Sequence, residues 1–169
     1  MSFAQQFFGK ALQAITAEDV LHFFSKAQYE GHHLEFKSGQ VRMDKILKEV
    51  SAFLNADGGL LIIGAPRETE VGIGVEPSTI GLPDPSQIES TEVILEAIHH
   101  LIEPTPVGIG IAQVPYKGGH VFLLDILPSS IPPHQVGPVG TYYLREGAVS
   151  RPANHLELEL LFFQKRMPD

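Results

Sequence analysis

Tyr29 to Gly64 reads YEGHHLEFKSGQVRMDKILKEVSAFLNADGGLLIIG. Three segments are legible in it. His32 to Lys37 is predicted as a strand. Gln40 to Ala56 is the clearest helix of the chain, because Ile46, Leu47, Val50, Phe53 and Leu54 fall on one helical face. Arg42, Lys45, Lys48 and Glu49 lie off that stripe. Asn55, Asp57, Gly58 and Gly59 end the helix, since glycine tolerates the left-handed conformation of a C-terminal cap. Leu60 to Gly64 is an apolar run bounded by glycines, the pattern of a buried strand.

On the N-terminal side, Phe3, Phe7, Phe8, Leu12 and Ile15 recur at helical spacing. Thr16 then reads as the N-cap of a second helix, with Glu18 and Asp19 in its first turn and Val20, Leu21, Phe23 and Phe24 as its apolar face. On the C-terminal side, Val71 to Val75 is expected to return as a hairpin partner of Leu60 to Gly64. Ser86 to Ile102 is expected to be a helix stopped by Pro104 and Pro106. Val107 to Tyr116 and His120 to Leu127 form a hairpin across Lys117-Gly118-Gly119. A long loop carrying Pro132-Pro133-His134 leads to a strand at Thr141 to Arg145, which Gly147 breaks. A last helix starts at Pro152 or Ala153, with Leu156, Leu160, Leu161 and Phe163 expected inside. The order of elements predicts an α+β fold, one domain with a mixed sheet flanked by helices. Residues 1–28 form a helical extension and 29–166 the domain proper.

Composition narrows the function classes. The 169 residues include no cysteine, which removes disulfides, thiolate nucleophiles and cysteine-based zinc sites. The first residues lack a basic region followed by an apolar core, and no apolar run reaches the roughly 20 residues of a membrane span. A cytoplasmic protein with no membrane association is expected. The net charge of −8 argues against indiscriminate nucleic-acid binding. Eight acids against one base, Arg67, lie between Pro66 and Glu103, so the remainder is nearly neutral and leaves room for a local basic face.

Two groups of residues carry candidate chemistry. Glu35 and Lys37 share a strand face, since side chains repeat every two residues, and Glu30 lies just before them. Two carboxylates beside a lysine can hold a divalent metal that activates water. The same residues also read as a Glu–Lys pair on a half-exposed strand. Tyr142-Tyr143-Leu144-Arg145 offers aromatics for base stacking and a guanidinium for phosphate. It reads equally as a core tyrosine and a structural arginine–acid pair. Other signatures are missing: there is no GxxxxGK[ST], no strand-GxGxxG-helix and no HExxH, and Ser38, Ser51 and Ser150 have no Ser–His–Asp context.

The order HLEFK, KEVSAFLNADGGLLIIG, GIGV, IEPTP, HVFLLDILPSSIPPH and TYYLREGAVSRPA resembles the Schlafen AlbA_2 domain, also called the divergent AAA-4 domain. The resemblance spans roughly residues 29–163 and is most specific at AFLNADGGLLIIG. It implies an Alba-like fold and a role in binding DNA or RNA. Some relatives are metal-dependent RNA endonucleases with three acids, and Glu30 and Glu35 match the spacing of the first two. The third has no counterpart at Gly64-Ala65-Pro66-Arg67, where Glu68 and Glu70 are the nearest acids.

The expected function is a regulatory, non-catalytic nucleic-acid-binding module without a cofactor. Lys37, Arg42, Lys45, Tyr143, Arg145 and Arg151 are its candidate contacts. The alternatives are a Mg- or Mn-dependent ribonuclease using Glu30 and Glu35, and an acidic protein-interaction module. A homodimer is expected from the Gly- and aromatic-rich strands and the Phe-rich N-terminal helix.

Overall fold

The computed structural model describes residues 2–66, 74–75 and 83–166. The chain opens with α1 (Phe3–Phe8), which Gly9 ends in the left-handed conformation, φ 68°. The single helix expected over Phe3 to Ile15 is therefore broken: a 3-10 turn at Leu12–Ala14 follows instead. α2 (Ala17–Phe24) starts as its sequence predicts, with a reciprocal capping box between Thr16 and Asp19.

A mixed sheet forms the centre. β1 (Gln28–Tyr29) precedes β2 (Leu34–Lys37), α3 (Met43–Asn55) and β3 (Gly59–Ile63). After β4 (Gly74–Val75) come α4 (Thr91–Leu101) and β5 (Ile102–Glu103). The hairpin β6 (Ile109–Tyr116) and β7 (Gly119–Ile126) then completes the first sheet, in the order β2-β3-β7-β6. β2 and β3 are parallel, as a strand–helix–strand crossover requires, and the remaining pairs are antiparallel. Lys117 and Gly118 turn the hairpin with positive φ at both positions, 44° and 79°.

The expected hairpin between residues 60–64 and 71–75 does not form. β3 has β2 on one edge and β7 on the other, so no edge is left. β4 pairs with β1 instead, Tyr29 opposite Gly74. Residues 71–73 lie outside the described ones. A second, antiparallel sheet runs β10-β9-β8-β5. It consists of β5, β8 (Gln135–Val136), β9 (Thr141–Glu146) and β10 (Val149–Pro152), the last not anticipated from sequence. α5 (His155–Arg166) closes the described chain.

Alternation along β2 and β3 sorts the core. Leu34, Phe36, Leu60 and Ile62 face the N-terminal helices, where Phe3, Val20, Phe23 and Phe24 pack on them. Leu61 and Ile63 face the other way, onto Ile46, Val50, Phe53 and Leu54 of α3 and Ile94 and Ile98 of α4. Each such fully buried side chain is worth about 1.5–3 kcal/mol. The N-terminal extension thus shares one core with the sheet. It is also latched: Asp125 of β7 accepts the backbone N–H groups of Phe3 (3.2 Å) and Ala4 (2.8 Å) at the start of α1. α3 packs against both the first sheet and β9, which brings β2, α3 and the second sheet together.

α5 departs from expectation. Leu156, Leu160 and Phe163 are 62%, 59% and 60% exposed. The helix rests on the domain by another side, through Phe162 against Tyr142 and through Glu157 against Arg151. Among the described residues no helix is long and apolar enough to cross a membrane.

Candidate nucleic-acid interface

β2 turns Glu35 and Lys37 toward α3, on the face opposite Leu34 and Phe36. Across from them stand Glu49, from the middle of α3, and Arg145, from β9. The Arg145 side chain is 1% exposed. Its Nη2 donates to Glu35 Oε2 at 2.9 Å and to the carbonyls of Gly31 (2.7 Å) and Leu34 (3.0 Å). Its Nη1 donates to Glu49 Oε2 at 3.2 Å and to Ser150 Oγ at 3.1 Å, and Ser150 in turn donates to Glu49. The ring of Phe53 lies 5.0 Å from the guanidinium. Every direction in which this fork can donate leads into the protein.

Lys37 completes the cluster. Its ammonium donates to Glu35 Oε1 at 2.6 Å and lies 3.4 Å from Glu49. Burial pulls its pKa down, but the hydrogen bond and charge of Glu35, and then of Glu49, outweigh that and leave it above the ordinary lysine value. Two carboxylates and two cations therefore neutralise one another at the junction of β2, α3 and β9. Glu30 sits at the rim, where its Oε1 accepts the N–H of Phe36 at 2.9 Å. Glu30, Glu35, Phe36, Lys37, Ser38, Gln40 and Pro66 line an open groove of about 590 Å³.

The glycine pair after α3 supports this arrangement. Gly58 takes a φ of 76° and donates its N–H to Phe53 at 3.0 Å. A Cβ on Gly59 would stand 2.3 Å from the Phe53 ring, so only glycine leaves room for the ring that underlies Arg145. Asn55 does more than end the helix. Its Nδ2 donates to the carbonyls of His134 (2.8 Å) and Tyr143 (2.9 Å), and its Oδ1 accepts the N–H of His134 at 2.6 Å. That ties β9 to α3.

The remaining candidates lie outward. Arg42 is 79% exposed and paired with Asp44 at 2.9 Å. Lys45 is exposed, and Lys48 places its ammonium 5.7 Å from the centre of the half-buried Tyr143 ring. α3 itself begins with no side-chain cap at Arg42, and Asp44 is the acid in its first turn. Arg151, a third exposed, is held by Glu146 and Glu157, each at 2.7 Å.

The structure thus brings Glu35, Lys37 and Arg145 together and leaves Arg42, Lys45 and Tyr143 along a neighbouring surface. Arg145, expected as a phosphate contact, is buried and fully engaged, which matches the structural arginine–acid reading. Two members were missed. Glu49 was set aside as lying off the apolar stripe, yet at 100° per residue it borders Phe53 on the helical wheel. Ser150 gave no signal beyond standing five residues after Arg145.

Metal binding fits these donors poorly. Both oxygens of Glu35 are committed to cations, and Glu49 likewise faces Arg145 and Lys37. Among the described residues no three His, Asp or Glu side chains are grouped to hold an ion. Glu68 and Glu70 lie outside the described residues.

The model of the family described as Schlafen, AlbA_2 matches residues 30–154. No curated protein matches the chain. The crystal structure of the DIP2311 protein from Corynebacterium diphtheriae matches 75% of the chain at 18% identity, with a TM-score of 0.54. The chain spans 23% of that protein, and the likeness is one of fold. The solution structure of the N-terminal domain of a RecG-related protein from Nitrosomonas europaea covers 83% of the chain and 90% of its own length, at 20% identity and a TM-score of 0.48.

Proposed function

The chain belongs to the Schlafen AlbA_2 family, and from that premise we propose that it is a nucleic-acid-binding module whose contact surface runs from the Lys37 groove along α3. The observation that carries this reading is the internal neutralisation of Glu35 and Glu49 by Lys37 and Arg145. With those carboxylates cancelled, the α3 surface presents Arg42, Lys45 and Lys48, with Asp44 as the acid in its first turn. The uncapped helix start adds a partial positive charge where a phosphate would lie. Tyr143, beneath Lys48, adds an aromatic ring beside that charge.

The role is binding and not strand cleavage. A divalent ion at Glu35 would have to displace the Lys37 ammonium, and the fork of Arg145 would still hold the second oxygen. The acids between Pro66 and Glu103 sit elsewhere in sequence and limit indiscriminate adhesion. Binding is therefore expected to be moderate and strongly dependent on salt.

The test is a salt titration of affinity for a labelled single-stranded oligonucleotide, as RNA and as DNA. Engagement of three or four phosphates gives a log–log slope of about −2 to −3 for a single strand. Binding that is absent at low salt, or that has no salt dependence, would refute the reading.

A further inference from the structure

A second cavity adjoins the Lys37 groove, and Gly39 stands between the two. Its neighbours Ser38 and Gln40 line the groove. Its own carbonyl accepts the Gln87 N–H at 3.0 Å, and a Cβ on it would collide with the Pro85 carbonyl. From that wall the chain passes to the β6–β7 hairpin, where Ser86 forms an antiparallel bridge with His120 and donates its N–H to the His120 carbonyl at 2.7 Å. Between this segment and the Lys117-Gly118 turn lies a cavity of about 380 Å³, within the roughly 300–1,000 Å³ of small-molecule sites.

The cavity's lining is mixed in hydrogen-bonding character. The Gln87 amide both donates and accepts, the Glu89 carboxylate only accepts and the Lys117 ammonium only donates, and all three residues are exposed. His120 also lines it. The buried Nδ1 of His120 has no hydrogen-bond partner among the described residues, so nothing on that side fixes the ring's tautomer. Pro85 and Ile88 add apolar surface. A lone phosphate is a poor match, because it only accepts and Glu89 would repel it. A wholly apolar group would leave the polar groups unpaired. A nucleobase answers both conditions: its edge carries donors and acceptors side by side, its flat faces suit the apolar walls, and its own phosphate is left to Lys117.

Resting on the reading of the Lys37 groove as a nucleic-acid contact, we propose that this cavity takes one unpaired nucleobase of the strand whose backbone follows the groove. The ligand is then single-stranded nucleic acid. A base within a duplex is stacked and has its edge occupied by its partner, so it does not enter without the cost of unpairing. A free nucleotide offers the same base and phosphate, and only the oligonucleotide arm of the experiment tells the two sources apart.

The first arm follows the backbone amide NMR signals of residues 117–120 while nucleoside 5′-monophosphates or, as a base-free probe, ribose 5-phosphate are added to the full chain. The monophosphates should shift these signals and ribose 5-phosphate should not. No shift with any monophosphate, or equal shifts with the base-free probe, overturns the proposal. The second arm uses Gln87→Ala/Glu89→Ala, which changes exposed side chains only, with circular dichroism to show that it is folded. Although it removes an acid, this variant should bind a single-stranded oligonucleotide about fivefold or more weakly, with an unchanged salt slope because no phosphate contact is lost. A duplex of the same sequence should bind more weakly than the single strand. Full affinity of the variant for the single strand overturns the proposal and leaves the proposed function standing; with the monophosphate shifts intact, it marks a free-nucleotide site instead. Duplex binding as tight as that of the single strand overturns the proposal too. Absence of any oligonucleotide binding at low salt refutes the proposed function itself, and the strand in the cavity with it.

Discussion

Arg145 donates through Nη2 to Oε2 of Glu35 at 2.9 Å, joining β9 to a strand 110 residues earlier in the chain. The pair is buried, and its geometry is shared with Glu49, Lys37 and Ser150. This contact assigns Arg145 to the frame of the interface. It also cancels the charge of the groove's carboxylates, as the proposed function requires if a polyanion is to pass over them.

Removing that guanidinium should act on the fold before it acts on binding. Arg145→Ala leaves Glu35 and Glu49 buried and short of one cation, and it is expected to cost about 3–5 kcal/mol. Urea unfolding followed by circular dichroism measures this. Adding Glu35→Gln to Arg145→Ala should recover part of the loss, because the stranded carboxylate is then uncharged. Equal stability of Arg145→Ala and wild type would mean that the network carries no weight.

Lys37 has the opposite balance of roles. Its side chain is 23% exposed and faces the groove. Its pKa stands above the ordinary 10.5, so its charge persists throughout neutral and mildly alkaline pH. Because the folded value is raised, the associated stability is fully present below 10.5 and is lost only as pH rises through the higher folded value. Lys37→Met should weaken oligonucleotide binding at pH 7 and reduce the magnitude of the salt slope by about 1. An unchanged slope would place Lys37 outside the contact surface.

Asp125 is expected to govern the N-terminal latch. Its carboxylate, 5% exposed, accepts two N–H groups at the start of α1. Asp125→Ala should cost about 1–2 kcal/mol, in the range of a lost helix cap. Hydrogen exchange should show early release of residues 3–8. Deleting residues 1–27 is a larger step: it bares Leu34, Phe36, Leu60 and Ile62, and the shortened chain should not stay in solution.

The acid end of the pH scale reports on α5. Glu157 is lowered from 4.5 to about 2, first by its hydrogen bonds from Arg151 and then by the Asn154 backbone N–H. A lowered folded value means that its support for the helix is present above 4.5 and is lost as pH falls toward 2. Carboxyl NMR should give a midpoint near 2 for Glu157 in the wild type. Arg151→Ala should bring that midpoint back toward 4.5; a midpoint near 4.5 in the wild type would contradict the pairing.

Much of the frame is legible in residues 29–64. Periodicity finds α3, glycine ends it, and the parallel neighbour of a buried run must be the strand before the helix. The hairpin at Lys117-Gly118 is equally local. What sequence does not disclose is what depends on third elements. The unavailability of a β3 edge for residues 71–75 follows from β7, some sixty residues later. Glu49 reads as a surface acid until β9 places Arg145 beside it. Arg145 itself reads two ways, because an arginine in a strand shows its partners only when the strand's neighbours are known. α5 misleads for a different reason: its apolar residues outnumber what one contact face can cover, so some remain outside.

One comparison tests the role of the α3 surface most directly. Affinity for a single-stranded oligonucleotide at low salt is measured for wild type, for Lys45→Glu/Lys48→Glu, and for Lys10→Gln, whose partner Asp19 belongs to α2 on the sheet face opposite α3. The α3 double variant should lose about tenfold or more in affinity with a salt slope reduced in magnitude by about 1.4, and Lys10→Gln should bind as the wild type does. Equal losses in both variants, or none in either, would contradict that role.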